Sequence, residues 1–479
     1  MFLNREEELN ALRSWFKSGK AQLIIIYGRR RVGKTFLIRR FFEEVDGIYF
    51  LVSRLDKQGV LKEFSRLLVD SGLVKYEPKL SDFSDLYRLL GDLSLDRRLV
   101  VAIDEFQRLL EADPSSLTLL QEAWDEYLGK SRIMLILLGS AVGTIERVGL
   151  SYSSPIYGRR TGQIKLDPFP YRYARLFLDK YPIEDKVRGY AVFGGTPAYL
   201  SLIDQNLPLI ENIKLKILSK TSPLFEEPYI ILSQETREPL KYMTILQAME
   251  LGSLTLGEIA DNSGISSNDL PKYLKTLISE LNIVKREYPI FEREKRGRAR
   301  YFISDNFFRF WFRYVWRNIN LLEIGDVETV SRKIVESIDE YVGRVFEEVC
   351  IEHFLWMASS KLISITDFGK WWRRDIEFDG VAVNSRENVV YFIEAKWSSK
   401  PIGREVLLNL IRRSTEFPWN LGRRREIYVI YSRSGFTFEK EEGTILIDLR
   451  KLDKDFESRN LRNTNIVNID DCCWTPIHS

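Results

Sequence analysis

The stretch from Ile24 to Thr35 constrains this chain more than any other, because an apolar run there breaks into a loop with glycines at a fixed spacing. Ile24, Ile25, Ile26 and Tyr27 are strand-prone, and Gly28-Arg29-Arg30-Arg31-Val32-Gly33-Lys34-Thr35 fits the pattern G-x-x-x-x-G-K-[ST]. Gly28 and Gly33 permit a tight turn whose backbone N–H groups point inward, a cradle for phosphate oxygens. Lys34 adds a mobile charge for β- and γ-phosphates, and the Thr35 hydroxyl suits Mg²⁺. The residues from Phe36 to Phe42 continue as a helix whose positive end faces the same point. The segment predicts nucleotide binding, with ATP the first expectation, through the backbone of Gly28, Arg29, Arg30, Arg31, Val32 and Gly33. The three arginine side chains need not face the phosphates; they read as solvated or domain-contacting.

Apolar runs at Leu23–Tyr27, Ile48–Val52, Leu99–Ile103 and Ile133–Leu138, with a shorter fifth at Gln163–Leu166, alternate with amphipathic stretches. Nearly all-apolar strands alternating with helices predict a parallel sheet covered on both faces. Asn4 followed by Glu7 reads as a capping box for a first helix with Leu9, Leu12 and Phe16 on one face. Asp104 and Glu105 end the third strand, where α/β sheets place ligands. Asp104 is placed to hold Mg²⁺ through water and Glu105 to polarise an attacking water. Ser140, after the fourth strand, either senses the γ-phosphate and orients that water or caps the following turn. Arg159, in Gly158-Arg159-Arg160, is either an arginine finger, in cis or from a neighbouring subunit, or a surface arginine paired with a carboxylate.

At 479 residues the length suggests about three domains. A net charge of +3 confines any nucleic-acid contact to local clusters. Three cysteines (Cys350, Cys472, Cys473) and two histidines offer neither a disulfide framework nor a His-based zinc site. The N-terminus lacks a signal-peptide pattern, and no apolar run is long enough to cross a bilayer, so a cytoplasmic protein without membrane contact is expected.

Asn4-Arg5-Glu6, the phosphate loop, Ile103-Asp104-Glu105, Gly139-Ser140, Gly158-Arg159, Leu166-Asp167-Pro168-Phe169 and Gly195-Thr196-Pro197 occur in this order. Together they resemble the archaeal ATPase family, a branch of the AAA-related P-loop ATPases close to the signal-transducing STAND class. The resemblance implies that Pro197 approaches the nucleotide from a helical lid, although a helix-entry turn explains the same residues.

Residues 254–303 read as helix, turn, helix and two short strands joined by a hairpin, a winged helix. Arg293, Lys295, Arg296, Arg298 and Arg300 place five cations on that hairpin. Each phosphate they neutralise steepens the salt dependence of DNA binding by about 0.9 in log–log slope. An intramolecular or protein-docking role competes with DNA contact. Farther on, Asp379 and the alternating strand Val390, Phe392, Glu394, Lys396 place ionisable groups on an otherwise apolar sheet, a cost unless they are paired or functional. Asp379 and Glu394 can share Mg²⁺ at a scissile phosphate, with Lys396 orienting water and Glu347 reaching in from a preceding helix. This order resembles the PD-(D/E)xK nuclease superfamily; a buried salt-bridge network in a retired nuclease fold is the alternative.

The expected architecture is α/β: a P-loop NTPase core of ASCE/AAA type over residues 1–175, a helical lid over 176–235 and a winged helix over 236–315. A linker over 316–335, a restriction-endonuclease-like α/β domain over 336–455 and a tail over 456–479 complete it. The expected activity is Mg²⁺-dependent ATP hydrolysis coupled to DNA binding or cleavage, in a chain able to form homo-oligomers. A nucleotide-gated STAND-type switch or scaffold with an inactive nuclease-like domain is the rival.

Overall fold

The computed structural model describes residues 4–140, 149, 152, 154–250, 252–292 and 297–457. Two compact units emerge, one from Met1–Pro168, Thr196–Ala198 and Lys272–Asn282, the other from Phe169–Gly195, Tyr199–Pro271 and Ile283–Ser479.

The first unit is built on β1 (Gln22–Tyr27), β2 (Ile48–Leu51), β3 (Leu99–Asp104), β4 (Ile133–Gly139) and β5 (Gly162–Lys165). They form one sheet in the order β2-β3-β4-β1-β5, and every pairing is parallel. Leu23, Ile25 and Tyr27 of β1 belong to one apolar core with the helices Lys57–Asp70, Phe83–Leu93 and Ser116–Glu126. Ile24 and Ile26 belong to a second core with the helices Glu6–Lys17 and Lys34–Phe42. Both faces of the inner strands β1, β3 and β4 are therefore buried, which is why the alternation expected of a half-exposed sheet is missing from their sequence. Each fully buried Ile or Leu contributes roughly 1.5–3 kcal/mol relative to exposure.

The N-terminal capping box does not form. The helix begins after Arg5, which makes no side-chain cap, and the Arg5 guanidinium instead reaches Glu8 at 2.9 Å and the Asp167 carbonyl at 2.6 Å. Asn4 takes φ 48, outside the extended backbone that an N-cap residue adopts.

The second unit holds a mixed sheet of β8 (Asp367–Arg373), β9 (Ile376–Asn384), β10 (Val389–Lys396), β11 (Arg425–Ser432) and β12 (Thr444–Asp448). Its order is β12-β11-β10-β9-β8, with the β8/β9 and β9/β10 pairs antiparallel and the β10/β11 and β11/β12 pairs parallel. A 33-residue helix, Val327–Ser359, precedes it and begins within the segment expected to be a linker. At the far end the helix Leu449–Glu457 carries the buried Phe456 past residue 455. The rest of the expected tail, residues 458–479, lies outside the described residues. A separate antiparallel ribbon pairs β6 (Val284–Glu287) with β7 (Arg300–Ile303). Upstream, Thr255 and Glu258 form a reciprocal capping box for the helix Leu256–Ser263. Phe307, Phe308, Phe310, Trp311 and Phe312 are buried, and the Trp311 indole donates to the Phe225 carbonyl at 2.7 Å.

Within this unit, Glu352 accepts hydrogen bonds from the N–H groups of Tyr171 and Arg172 at 2.8 and 3.0 Å. Burial of this partly exposed carboxyl outweighs those bonds and the nearby Arg172, moving it from 4.5 to about 7. Because the folded state holds this proton more tightly than the unfolded one, the contribution is full below pH 4.5 and lost as pH rises through 7. Wild-type stability relative to Glu352→Gln should therefore shrink, by up to about 3 kcal/mol, between pH 4.5 and 8 in urea titrations. A gap that widens with pH contradicts this.

Candidate functional site

Because β4 lies between β1 and β3, the phosphate loop, Ser140 and the acidic pair leave three adjacent strand ends. Gly28 adopts φ +152, and a Cβ there would meet the Leu166 carbonyl oxygen at 2.1 Å. Gly33 adopts φ +100, a region L side chains avoid. Val32 packs into the second apolar core, which fixes the loop from beneath. Arg30 is half-buried and Arg31 exposed, Arg31 with φ 69. Gly28→Ala should cost about 3 kcal/mol, seen as a lowered melting temperature; an unchanged one contradicts the steric reading.

Lys34 is buried and donates to the carbonyls of Gly28 at 2.7 Å and Arg29 at 3.1 Å, so the loop is folded around its own cation. The Thr35 hydroxyl donates to Asp104 Oδ2 at 3.1 Å, and the Glu105 N–H donates to Asp104 Oδ1 at 2.8 Å. The Tyr49 hydroxyl also donates to Asp104 Oδ2. Burial, reinforced by that bond, raises the ionisation of the Tyr49 phenol above its usual value, so it remains a donor.

Glu105 takes φ 56, a left-handed conformation uncommon for a non-glycine residue. Its carboxylate accepts from Ser140 Oγ at 2.7 Å and from Gln107 Nε2 at 2.6 Å, with Arg108 at 3.8 Å. Ser140 and Glu105, assigned separately from the sequence, thus meet directly. Arg29 is buried and its guanidinium donates to Thr196 Oγ1 at 2.9 Å, linking the loop to the residue before Pro197. Pro197 opens the short helix Pro197–Leu200. Arg159 joins a different group: it holds Asp125 at 2.8 and 3.1 Å and donates to the Pro155 carbonyl at 3.2 Å.

The glycine cradle, a buried lysine on carbonyls and a hydroxyl–carboxylate pair fit a Mg²⁺–triphosphate group. Gly28–Thr35 would hold the phosphates, and Thr35 with Asp104 would hold the metal. A bound Mg²⁺ supplies charge neutralisation between phosphate oxygens.

In the second unit, Asp379 and Glu394 lie one step beyond the last pair of the β9/β10 ladder, Gly380 with Ile393. Asp379 Oδ2 accepts from the Ala395 N–H at 2.7 Å. Burial, then repulsion from Glu347 and Glu394, pushes the Asp379 carboxyl well above its usual range. Glu347 is also raised by burial, although Lys370 at 3.8 Å opposes the effect. Glu394 is saturated, with Lys396 on Oε1 at 2.6 Å and Arg413 on Oε2 at 2.7 Å. Among the described residues, no three carboxylate, histidine or cysteine side chains form a group able to hold a metal ion.

On the ribbon, Arg298 pairs with Glu292 at 3.2 Å, while Arg300 pairs with Glu377 at 3.0 Å and lies over Trp372. Arg293, Lys295 and Arg296 lie outside the described residues. Among the described residues, no helix is long and apolar enough to cross a membrane.

Sheet order, phosphate loop and acidic strand end together define a P-loop ATPase domain. Residues 2–203 match a family described as an ATPase domain predominantly from Archaea. Residues 311–406 match one described as archaeal and bacterial proteins of unknown function. An uncharacterized protein of Methanocaldococcus jannaschii, MJECL04, is 35% identical over 401 residues, covering 83% of this chain and 88% of its own. The uncharacterized ATP-binding protein MJ0423 of the same organism is 60% identical over 43 residues, 9% of this chain and 73% of its own. The Walker-type ATPase PABY2304 of Pyrococcus abyssi shares the fold with a TM-score of 0.50 at 21% identity, over 65% of this chain and 96% of its own. The chain belongs to the archaeal ATPase family.

Proposed function

We propose that this protein hydrolyses ATP with Mg²⁺ and uses the cycle to change how its second unit engages DNA. The observation that carries the hydrolysis reading is the junction of Thr35 with Asp104 beside Glu105, which Ser140 and Gln107 hold in place. Lys34 leaves its carbonyls to bind phosphate, Thr35 and Asp104 hold the metal, and Glu105 takes the proton of the attacking water. Ser140 orients Glu105 and that water. Pro197 closes on the nucleotide from the lid, and Arg159, by exchanging Asp125 for phosphate, serves as the finger of a neighbouring copy in a homo-oligomer. Phosphate release from ATP in Mg²⁺, absent in EDTA, tests the reading; metal-independent release would overturn it.

DNA engagement rests on the basic residues that the sequence sets between Glu287 and Tyr301, namely Arg293, Lys295, Arg296, Arg298 and Arg300. A low-salt mobility shift that weakens steeply with salt supports it, and no shift at low salt removes it. For cleavage, Asp379, Glu394, Lys396 and Glu347 are the residues at issue. The double pairing of Glu394 with Lys396 and Arg413 favours the second reading, a nucleotide-gated switch whose nuclease-like domain is inactive. Plasmid DNA incubated with Mg²⁺ or Mn²⁺ and ATP should then stay intact. Nicking that Glu394→Ala and Lys396→Ala abolish would overturn the switch reading in favour of a nuclease.

A further inference from the structure

Asp104 is buried and surrounded by donors from three different places in the chain. Thr35 comes from the helix that follows the phosphate loop, Glu105 contributes its own backbone N–H, and Tyr49 comes from β2. The sheet register explains how Tyr49 arrives. It lies opposite Ala102 in the β2/β3 ladder, and Asp104, two residues on, points to the same face by strand alternation. That face packs beneath the helix Lys34–Phe42, so phenol, threonine and carboxylate converge above one apolar floor.

The two hydroxyls share a single oxygen, Oδ2, while Oδ1 is engaged by the backbone. A carboxylate held at both oxygens cannot rotate about its last bond. Thr35 can keep its proton on Oδ2 and offer a hydroxyl lone pair to a metal, provided Asp104 stays in that orientation. Removing the phenol leaves Oδ2 to the Thr35 hydroxyl alone, so the orientation of Asp104 then depends on the same group that must face the metal.

We propose that Tyr49 is a positioning residue for the nucleotide's metal, fixing Asp104 so that it and Thr35 face the ion together. The inference rests on the ATPase reading above and adds a residue from a strand that carries no part of the phosphate loop or the acidic pair. Partners one shell out from a metal's ligands typically change metal affinity or activity by about 10- to 100-fold when removed.

The test separates metal affinity from nucleotide affinity. The full-length protein is titrated with the non-hydrolysable analogue AMP-PNP in Mn²⁺ and again in EDTA, and the ratio of the two dissociation constants gives the metal-dependent gain. Tyr49→Phe should lower that gain about tenfold while leaving the EDTA constant and the melting temperature close to wild type. Asp104→Asn should abolish the gain. An unchanged gain in Tyr49→Phe, with Asp104→Asn defective, overturns the positioning role and leaves the ATPase reading standing. An equal loss in Mn²⁺ and EDTA also overturns it, since a purely structural part would act in that way. A full gain in Asp104→Asn defeats the underlying reading. If Tyr49→Phe proves insoluble, Tyr49→Leu carries the same comparison.

Discussion

Glu105→Gln should lower ATP turnover by about 10²- to 10⁴-fold, the usual contribution of a general base, while ATP still binds. The substitution keeps size and one acceptor oxygen for Gln107, and the new amide NH2 can donate to the Ser140 hydroxyl, which can accept, so the positive-φ turn at Glu105 has little reason to collapse. It removes the negative charge and the proton-accepting capacity. Single-turnover phosphate release, measured beside equilibrium binding, separates these effects. Loss of rate with retained affinity assigns Glu105 to the chemical step. Retention of both would move the water-activating role elsewhere, and loss of both would make Glu105 part of the binding scaffold.

Lys34→Ala should weaken Mg·ATP binding by about 10- to 100-fold, the effect of losing roughly 1.5–3 kcal/mol of hydrogen bonding to a charged partner. Lys34 donates to the carbonyls of Gly28 and Arg29, so its removal also loosens the loop. Comparison of melting temperatures without nucleotide shows how much of the loss is loosening. Unchanged affinity would mean that the ammonium stays on its carbonyls and never reaches phosphate.

Much of the first unit was legible because its signals are local. Continuous apolar runs marked β1, β3 and β4 to within a residue, since burial on both faces forces every position to be apolar. The phosphate loop was legible for the same reason, as glycine spacing and the lysine–threonine pair lie within one short segment. Tyr49, Thr196 and Arg413 were not legible. Tyr49 reaches Asp104 only through the register of β2 on β3, and Arg413 reaches Glu394 from a helix beyond β10. Thr196 is bonded to Arg29, a residue far away in the sequence. The cap at Asn4 fails because its backbone takes a left-handed turn, φ 48, which the residue pattern does not reveal.

The central claim is that a Mg²⁺–triphosphate sits on the Gly28–Thr35 loop beside Asp104. Isothermal titration of the wild-type protein with Mg·ATP tests it most directly. A saturable uptake near one nucleotide per chain, strongly weakened in Lys34→Ala, is the predicted result. Absence of uptake of both Mg·ATP and Mg·GTP by folded wild-type protein at millimolar nucleotide would contradict it.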